Sequence, residues 1–192
     1  MAPDDSPTPA TEALEGAGLA FEVVRFEPPS SAQESADRQG IDLASLLRTI
    51  VVRRGTGDFV FVLVPGGRQI AWPKLRSHLG VKRISLPDAE EAKTVTGYER
   101  GAITPFGSIH PWPVIADASV ASLGRVAIGG GARGVNLHLD ANDLIGEHVL
   151  PADVEAARHV AHLGLAQRLG PGVDPYRPAV GVPLRGVERQ DP

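Results

Sequence analysis

The sequence predicts an α+β domain: a mixed β-sheet or open barrel flanked by helices. Short β-branched runs recur along it. Helical patterns fall between them at irregular intervals, and no βαβ alternation is sustained. At 192 residues the chain fits one domain, expected over 8–170. A disordered stretch is expected at 1–7 and an irregular Pro-rich tail at 171–192.

Thr8 to Gly18 reads as a first helix, with Leu14 and Ala17 on its apolar face. Ala20 to Phe26 reads as a strand, stopped by Pro28-Pro29. Ser31 and Glu34 have capping-box spacing and open a short helix that ends at Gly40. A helical turn is expected over Ile41–Leu46. Leu47–Arg54 and Phe59–Val64 form a hairpin pattern around a four-residue loop, Gly55–Asp58. The second run, Phe-Val-Phe-Val-Leu-Val, is apolar on both faces and should be central. A short strand at Gln69–Ala71 and a helix over Pro73–Leu79 follow. Asp88–Thr94 is a helix whose early acids suit its dipole. Val114–Asp117, Arg125–Ile128 and Val135–Leu139 read as strands, and Pro151–Leu169 as the longest helix.

No cysteine is present, which removes disulfides, thiolate metal sites and a Cys nucleophile. No apolar window is long enough for a membrane helix, and a cytoplasmic location is expected. The formal charge is −4, yet Leu46–Arg83 holds eight basic residues (Arg48, Arg53, Arg54, Arg68, Lys74, Arg76, Lys82, Arg83) against one acid, Asp58. Such a region is either a local phosphate-binding surface or a solvated face.

Two glycine-rich loops could carry chemistry. Thr96–Gly107 contains Gly97, Gly101 and Gly107 with a rigid Pro105, and could present backbone N–H groups to an acyl oxygen or oxyanion. The plain alternative is a tight helix-to-strand connection. Gly129–Gly134 contains a G-x-G-x-x-G string, but the strand-like Val135–Leu139 follows where a dinucleotide site needs a helix. It therefore reads as a strand–loop–strand turn, with Arg133 able to reach an anion. Arg48 opens an apolar strand, a costly place for a cation unless it meets an anion or snorkels to solvent. His159 and His162 are three apart on the last helix, without an HExxH string. His138 shares a polar strand face with Asn136 and Asp140, which could line a pocket but is expected to meet solvent. No G-x-S-x-G elbow and no P-loop occur.

Taken in order, these pieces resemble the YbaK/prolyl-tRNA-editing-domain family, from about Pro7 to Val154. They are Arg25-Phe26 with Ser31–Gly40, Leu47-Arg-Thr-Ile-Val-Val52, Val62–Gly66, Thr96–Gly107 with Gly101–Pro105 as the GXXXP loop, Val114–Asp117, and Gly130–Gly134 with Asn142–Leu144. The resemblance implies a mixed sheet curled into a partial barrel. It implies hydrolysis, without metal or cofactor, of the ester joining an amino acid to the terminal adenosine of tRNA. Mischarged tRNA is then the partner, and an aminoacyl-tRNA synthetase a further one. No membrane partner is expected, and the chain is expected to act in trans as a monomer or homodimer. Arg48, Gly101 and Pro105 are implied at the catalytic centre. Thr49, Tyr98, Ala102, Ile103, Thr104, Phe106, Gly107, Asp117, Gly129, Gly130, Gly131 and Arg133 are implied around the substrate. Two positions depart from the family: Arg48 stands for its lysine, and Gly129 where Ser is common.

Overall fold

Valine and phenylalanine on both faces make Asp58–Pro65 (β3) the centre of the larger sheet, as its sequence predicts. In the computed structural model, which describes residues 6–146 and 166–168, Phe59 to Val64 are all buried. Each such side chain contributes about 1.5–3 kcal/mol of transfer free energy. On one side β3 pairs antiparallel with Leu47–Gly55 (β2), Leu47 opposite Pro65 and Val52 opposite Val60. On the other it pairs parallel with Val114–Ala116 (β5), Phe61 opposite Val114. The hairpin is tighter than expected: Gly55 pairs with Asp58, so only Thr56 and Gly57 turn the chain.

A second sheet has Val135–Asp140 (β7) at its centre, antiparallel to both Glu22–Arg25 (β1) and Arg125–Gly129 (β6). A parallel bridge from Leu46 to Ala127 joins the two sheets where β2 begins. The result is a curled mixed sheet that does not close into a full barrel. Between the sheets lie Leu47, Leu63 and Ala116 from one and Val126, Ile128, Leu137 and Leu139 from the other. Pro9–Gly16 (α1) plugs one end with Ala10 and Leu14. Ala141–Ile145 (α5) adds Ala141 and Leu144 to the same cluster.

The other helices cover the outer faces. Trp72–Leu79 (α3) lays Leu75 on Ile50, Val52 and Val62, together with Ile70 of Arg68–Ile70 (β4). Ala89–Thr96 (α4), capped by Asp88, packs Ala92 near Val51, Phe59 and Phe61. Ala32–Gln39 (α2) leads through a 3-10 turn at Leu43–Ser45 into β2. A second 3-10 turn, Ala118–Ser122, separates β5 from β6.

Four further readings of the sequence change. At α2, Ser31 Oγ accepts from Glu34 N at 3.1 Å, but the Glu34 carboxylate turns to Ser30 N and Oγ instead of closing the box on Ser31. Those two bonds and Arg38 hold Glu34 down at about 2. The polar face of β7 does not meet solvent as a whole, because α2 covers it. Gln39 Oε1 accepts from Asn136 Nδ2 at 3.1 Å and lies 2.7 Å from His138 Nε2, and His138 is buried. Ala166–Arg168, placed in a long helix by its periodicity, is instead a strand (β8) antiparallel to β4, whose open edge offers backbone bonds. The rest of that helix, including His159 and His162, lies outside the described residues, as do 1–5 and the tail at 171–192. The first helix ends at Gly16, short of Gly18.

Candidate functional site

The end of α4 builds the first glycine loop. Thr96 Oγ1 donates to Ala92 O at 2.7 Å and accepts from Tyr98 N at 3.1 Å. Between them Gly97 takes φ +82, a left-handed conformation that turns the chain off the helix. Tyr98 then enters the core, and its hydroxyl donates to Phe106 O at 2.7 Å, tying the two ends of the loop together. Burial pushes this phenol up to about 12, so it is a neutral donor. Ser108 Oγ and Ile109 N both close back on Thr96 O.

Between those ties the loop has a buried stem and an exposed tip. Ala102, Ile103, Thr104 and Phe106 are buried and Pro105 is half-buried, while Arg100 and Gly101 are exposed. Gly101 has φ +88 and open space around it. Ala102 N donates to Glu99 O at 3.0 Å. The N–H groups of Gly101, Ile103 and Thr104 have no acceptor among the described residues. Pro105 has no N–H to offer and fixes the turn.

The second glycine loop lies directly against the first. A Cβ on Gly129 would come 3.0 Å from Ile103 O and 3.4 Å from Ala102 O. One on Gly131 would come 2.9 Å from the Tyr98 ring. Gly130 N is committed to Val135 O at 2.8 Å, and Arg133 is exposed on the turn. The fold thus brings Tyr98, Ala102, Ile103, Gly129 and Gly131 together from two separate segments of the chain. Thr49 joins them across a small open pocket that it lines with Ile103, Ala92, Leu86, Pro87 and Arg100. Two hydroxyls near the loop, Thr49 Oγ1 and Thr104 Oγ1, are buried without a hydrogen-bond partner among the described residues.

Arg48 and Asp117 belong to a different group. Side chains alternate along a strand, so Arg48 shares a face of β2 with Ile50 and Val52, while Thr49 and Val51 face the loop. Arg48 donates to the Arg68 carbonyl, and Arg68 Nη1 donates to Asp117 Oδ1 at 3.2 Å. Asp117 is buried and also accepts from Ser119 Oγ at 2.5 Å and Ser119 N at 3.1 Å. Charge and alternation in the sequence did not single out Arg68 for the site, nor Leu86, Pro87, Ala92 and Arg100 for the pocket wall.

Much of the basic segment is neutralised locally. Arg53 meets both oxygens of Glu91 at 2.9 Å, Arg54 meets Asp58 at 2.6 Å, and Arg68 meets Asp117. Arg76, Lys82 and Arg83 have no carboxylate partner among the described residues, and Lys82 and Arg83 are exposed. No three His, Asp or Glu side chains converge as metal ligands among the described residues.

A curled mixed sheet that carries a Gly-X-X-X-Pro loop against a second glycine turn defines a YbaK-like α+β domain. The chain belongs to the aminoacyl-tRNA editing domain family, whose sequence model matches residues 27–146. Among its relatives is the Enterococcus faecalis protein named "Putative Cys-tRNA(Pro)/Cys-tRNA(Cys) deacylase EbsC". It is 27% identical over 120 residues, covering 62% of this chain and 73% of that protein. A proline–tRNA ligase of Heliobacterium modesticaldum is 30% identical over 173 residues, 88% of this chain but 27% of the ligase. The chain therefore spans about a quarter of such ligases. Among solved structures, "Crystal structure of a putative trans-editing enzyme for prolyl tRNA synthetase" superposes with a TM-score of 0.65 at 23% identity, over 71% of this chain and 87% of that one.

Proposed function

We propose that this chain is a trans-acting aminoacyl-tRNA deacylase, hydrolysing the ester of a mischarged tRNA. One observation carries the reading. The bend at Gly101–Thr104 holds three backbone N–H groups without acceptors among the described residues, and its Ile103 lines a pocket with Thr49. Such donors, fixed before the substrate arrives, suit the negative charge that develops on an ester carbonyl oxygen under attack. Water, or a ribose hydroxyl of the substrate assisting it, attacks the carbonyl carbon. The bond to the ribose oxygen then breaks, the ribose oxygen takes a proton, and the free amino acid leaves. The loop's contribution is positioning and electrostatic stabilisation. Arg48 holds the Arg68 carbonyl from the face of β2 opposite the loop, so in this reading it is not the group that meets the ester.

The tRNA body needs a cationic track, and the turn carrying Lys82 and Arg83 supplies one. It precedes Leu86 and Pro87 of the pocket wall by a few residues. The likeness to part of proline–tRNA ligases makes a synthetase a further partner in this reading. The test is a panel of mischarged tRNAs, beginning with those for proline and cysteine. Release of amino acid above the spontaneous rate from at least one is the expected result, and release from none ends the enzymatic reading.

A second reading is a binding module that recognises an aminoacyl or nucleotide end without cleaving it. The commitment of Arg48 to the Arg68 carbonyl and the missing hydroxyl at Gly129 favour it. Saturable tRNA binding without ester cleavage separates the two.

A further inference from the structure

The first turn of α1 touches both glycine loops of the site, although it precedes the 27–146 match to the family model. Thr8 Oγ1 donates to Gly130 O at 2.6 Å, across 122 residues of sequence. The same oxygen accepts from Thr11 N at 3.2 Å and so caps the helix. Thr8 N in turn donates to Thr11 Oγ1 at 2.9 Å, completing a reciprocal cap. Thr8 is 7% exposed and Ala10 is fully buried.

The next two residues fill space that only glycine leaves open. A Cβ on Gly107 would collide with the Pro9 carbonyl, and one on Gly131 would come 3.3 Å from Ala10 Cβ. Gly131 also abuts Tyr98, whose hydroxyl ties the loop at Phe106. Gly129, at the other end of the turn, abuts Ala102 and Ile103. An unbroken set of contacts thus runs from the Thr8 hydroxyl, through Gly130 and its neighbours, to the amides of the Gly101–Pro105 bend.

We propose that Thr8 is a positioning residue of the deacylation site: its hydroxyl fixes the Gly129–Gly131 turn, and the turn fixes the bend. The kinetic part rests on the deacylase reading; the structural coupling does not. A helix cap that served α1 alone would need only to accept from the first turn. The Thr8 hydroxyl also spends its proton on a carbonyl of the site.

The experiment compares Thr8→Val, Thr8→Ser and Thr11→Val with the full wild-type chain. Hydrogen exchange is followed in segments 99–107 and 129–134. Thr8→Val is expected to speed exchange about tenfold in both, the scale of one lost buried hydrogen bond. Its single-turnover deacylation rate should fall by a similar factor with KM unchanged. Thr8→Ser should restore both, because it keeps donor and acceptor. Thr11→Val weakens the cap while sparing the bond to Gly130, and should leave both segments at wild-type exchange. Equal effects of Thr8→Val and Thr11→Val, or unchanged exchange in Thr8→Val, overturn the proposal. Should Thr8→Val not fold, Thr8→Asp keeps the cap acceptor but brings no proton to Gly130 O, and it is read in the same way. If the wild type cleaves no aminoacyl-tRNA, the deacylase reading fails while exchange still decides the coupling.

Discussion

Gly129 lies so close to Ile103 that a methyl group on it would sit 3.0 Å from the Ile103 carbonyl oxygen. This contact seats the Gly101–Pro105 bend on the end of β6. Two effects oppose each other in Gly129→Ala. The unfolded chain loses freedom, which favours the variant by about 0.4–1 kcal/mol. Overpacking against two backbone carbonyls costs about 1–3 kcal/mol, and backbone yields less easily than a side-chain tip. The second effect wins. Gly129→Ala should lower stability in urea by about 1 kcal/mol and, on the proposed deacylase reading, slow deacylation, because the bend is what must retreat. A variant as stable and as active as wild type would show that the seat is loose.

Tyr98→Phe tests the tie across the base of the loop. Removing the hydroxyl leaves the Phe106 carbonyl without the donor that reaches it at 2.7 Å, costing about 1–2 kcal/mol. The pH dependence is specific. The phenol is raised to about 12 in the folded chain against an ordinary value of 10.0. Below about pH 10 its contribution is fully present and adds no pH dependence to folding. As pH rises from about 10 toward 12, the unfolded chain ionises first and stability falls. Urea midpoints of Tyr98→Phe should decline less steeply than wild type over that window. Parallel curves for the two proteins would count against the assignment.

His138 has the opposite sign on the acid side. Burial lowers its pKa, the Arg125 guanidinium lowers it further, and Glu22 on the neighbouring strand works against both. With its folded value depressed, its contribution is complete above the ordinary value of 6.5 and is lost as pH falls, because the unfolded chain binds the proton more readily. Gln39 Oε1 accepts at 2.7 Å, which assigns the neutral ring's hydrogen to Nε2. His138→Gln should flatten the fall in stability between about pH 7 and 5, read by urea midpoints. An unchanged slope would mean that the ring charges without cost.

The sequence revealed what depends on local pattern and concealed what depends on distant partners. The apolar run Phe59–Val64 announced a central strand, and Gly97, Gly101, Pro105 and Gly107 announced a loop with special backbone, because both signals are carried by residue type. The structure puts Arg48 and Thr49 on opposite faces of β2, although the resemblance implied one site for both. Which face looks at the loop is decided by how α4 and Tyr98 pack, and that leaves no trace at position 48. Thr8 was legible as a helix start but not as a partner of Gly130, since its acceptor is a main-chain carbonyl. The polar stripe of β7 looked solvent-facing because the glutamine that covers it lies almost a hundred residues away.

Lys82 and Arg83 supply the last prediction. They are exposed, lack a carboxylate partner among the described residues, and stand just before the stretch where Ser85 bridges to Arg53 on β2. That bridge, Arg53 N to Ser85 O at 2.8 Å and Ser85 N to Arg53 O at 3.1 Å, holds the basic turn beside the pocket wall at Leu86 and Pro87. If the turn meets tRNA phosphates, each lost contact removes about 0.7–0.9 from the slope of log affinity against log salt. The double variant Lys82→Glu/Arg83→Glu should therefore bind uncharged tRNA more weakly at low salt, with a slope shallower by about 1.4–1.8. Hydrolysis of a short aminoacyl-adenosine ester should stay near the wild-type rate, because that substrate has no tRNA body to hold. Unchanged tRNA affinity and slope would move the nucleic-acid surface elsewhere. A parallel loss on the small ester would show that the substitution had disturbed the pocket wall instead.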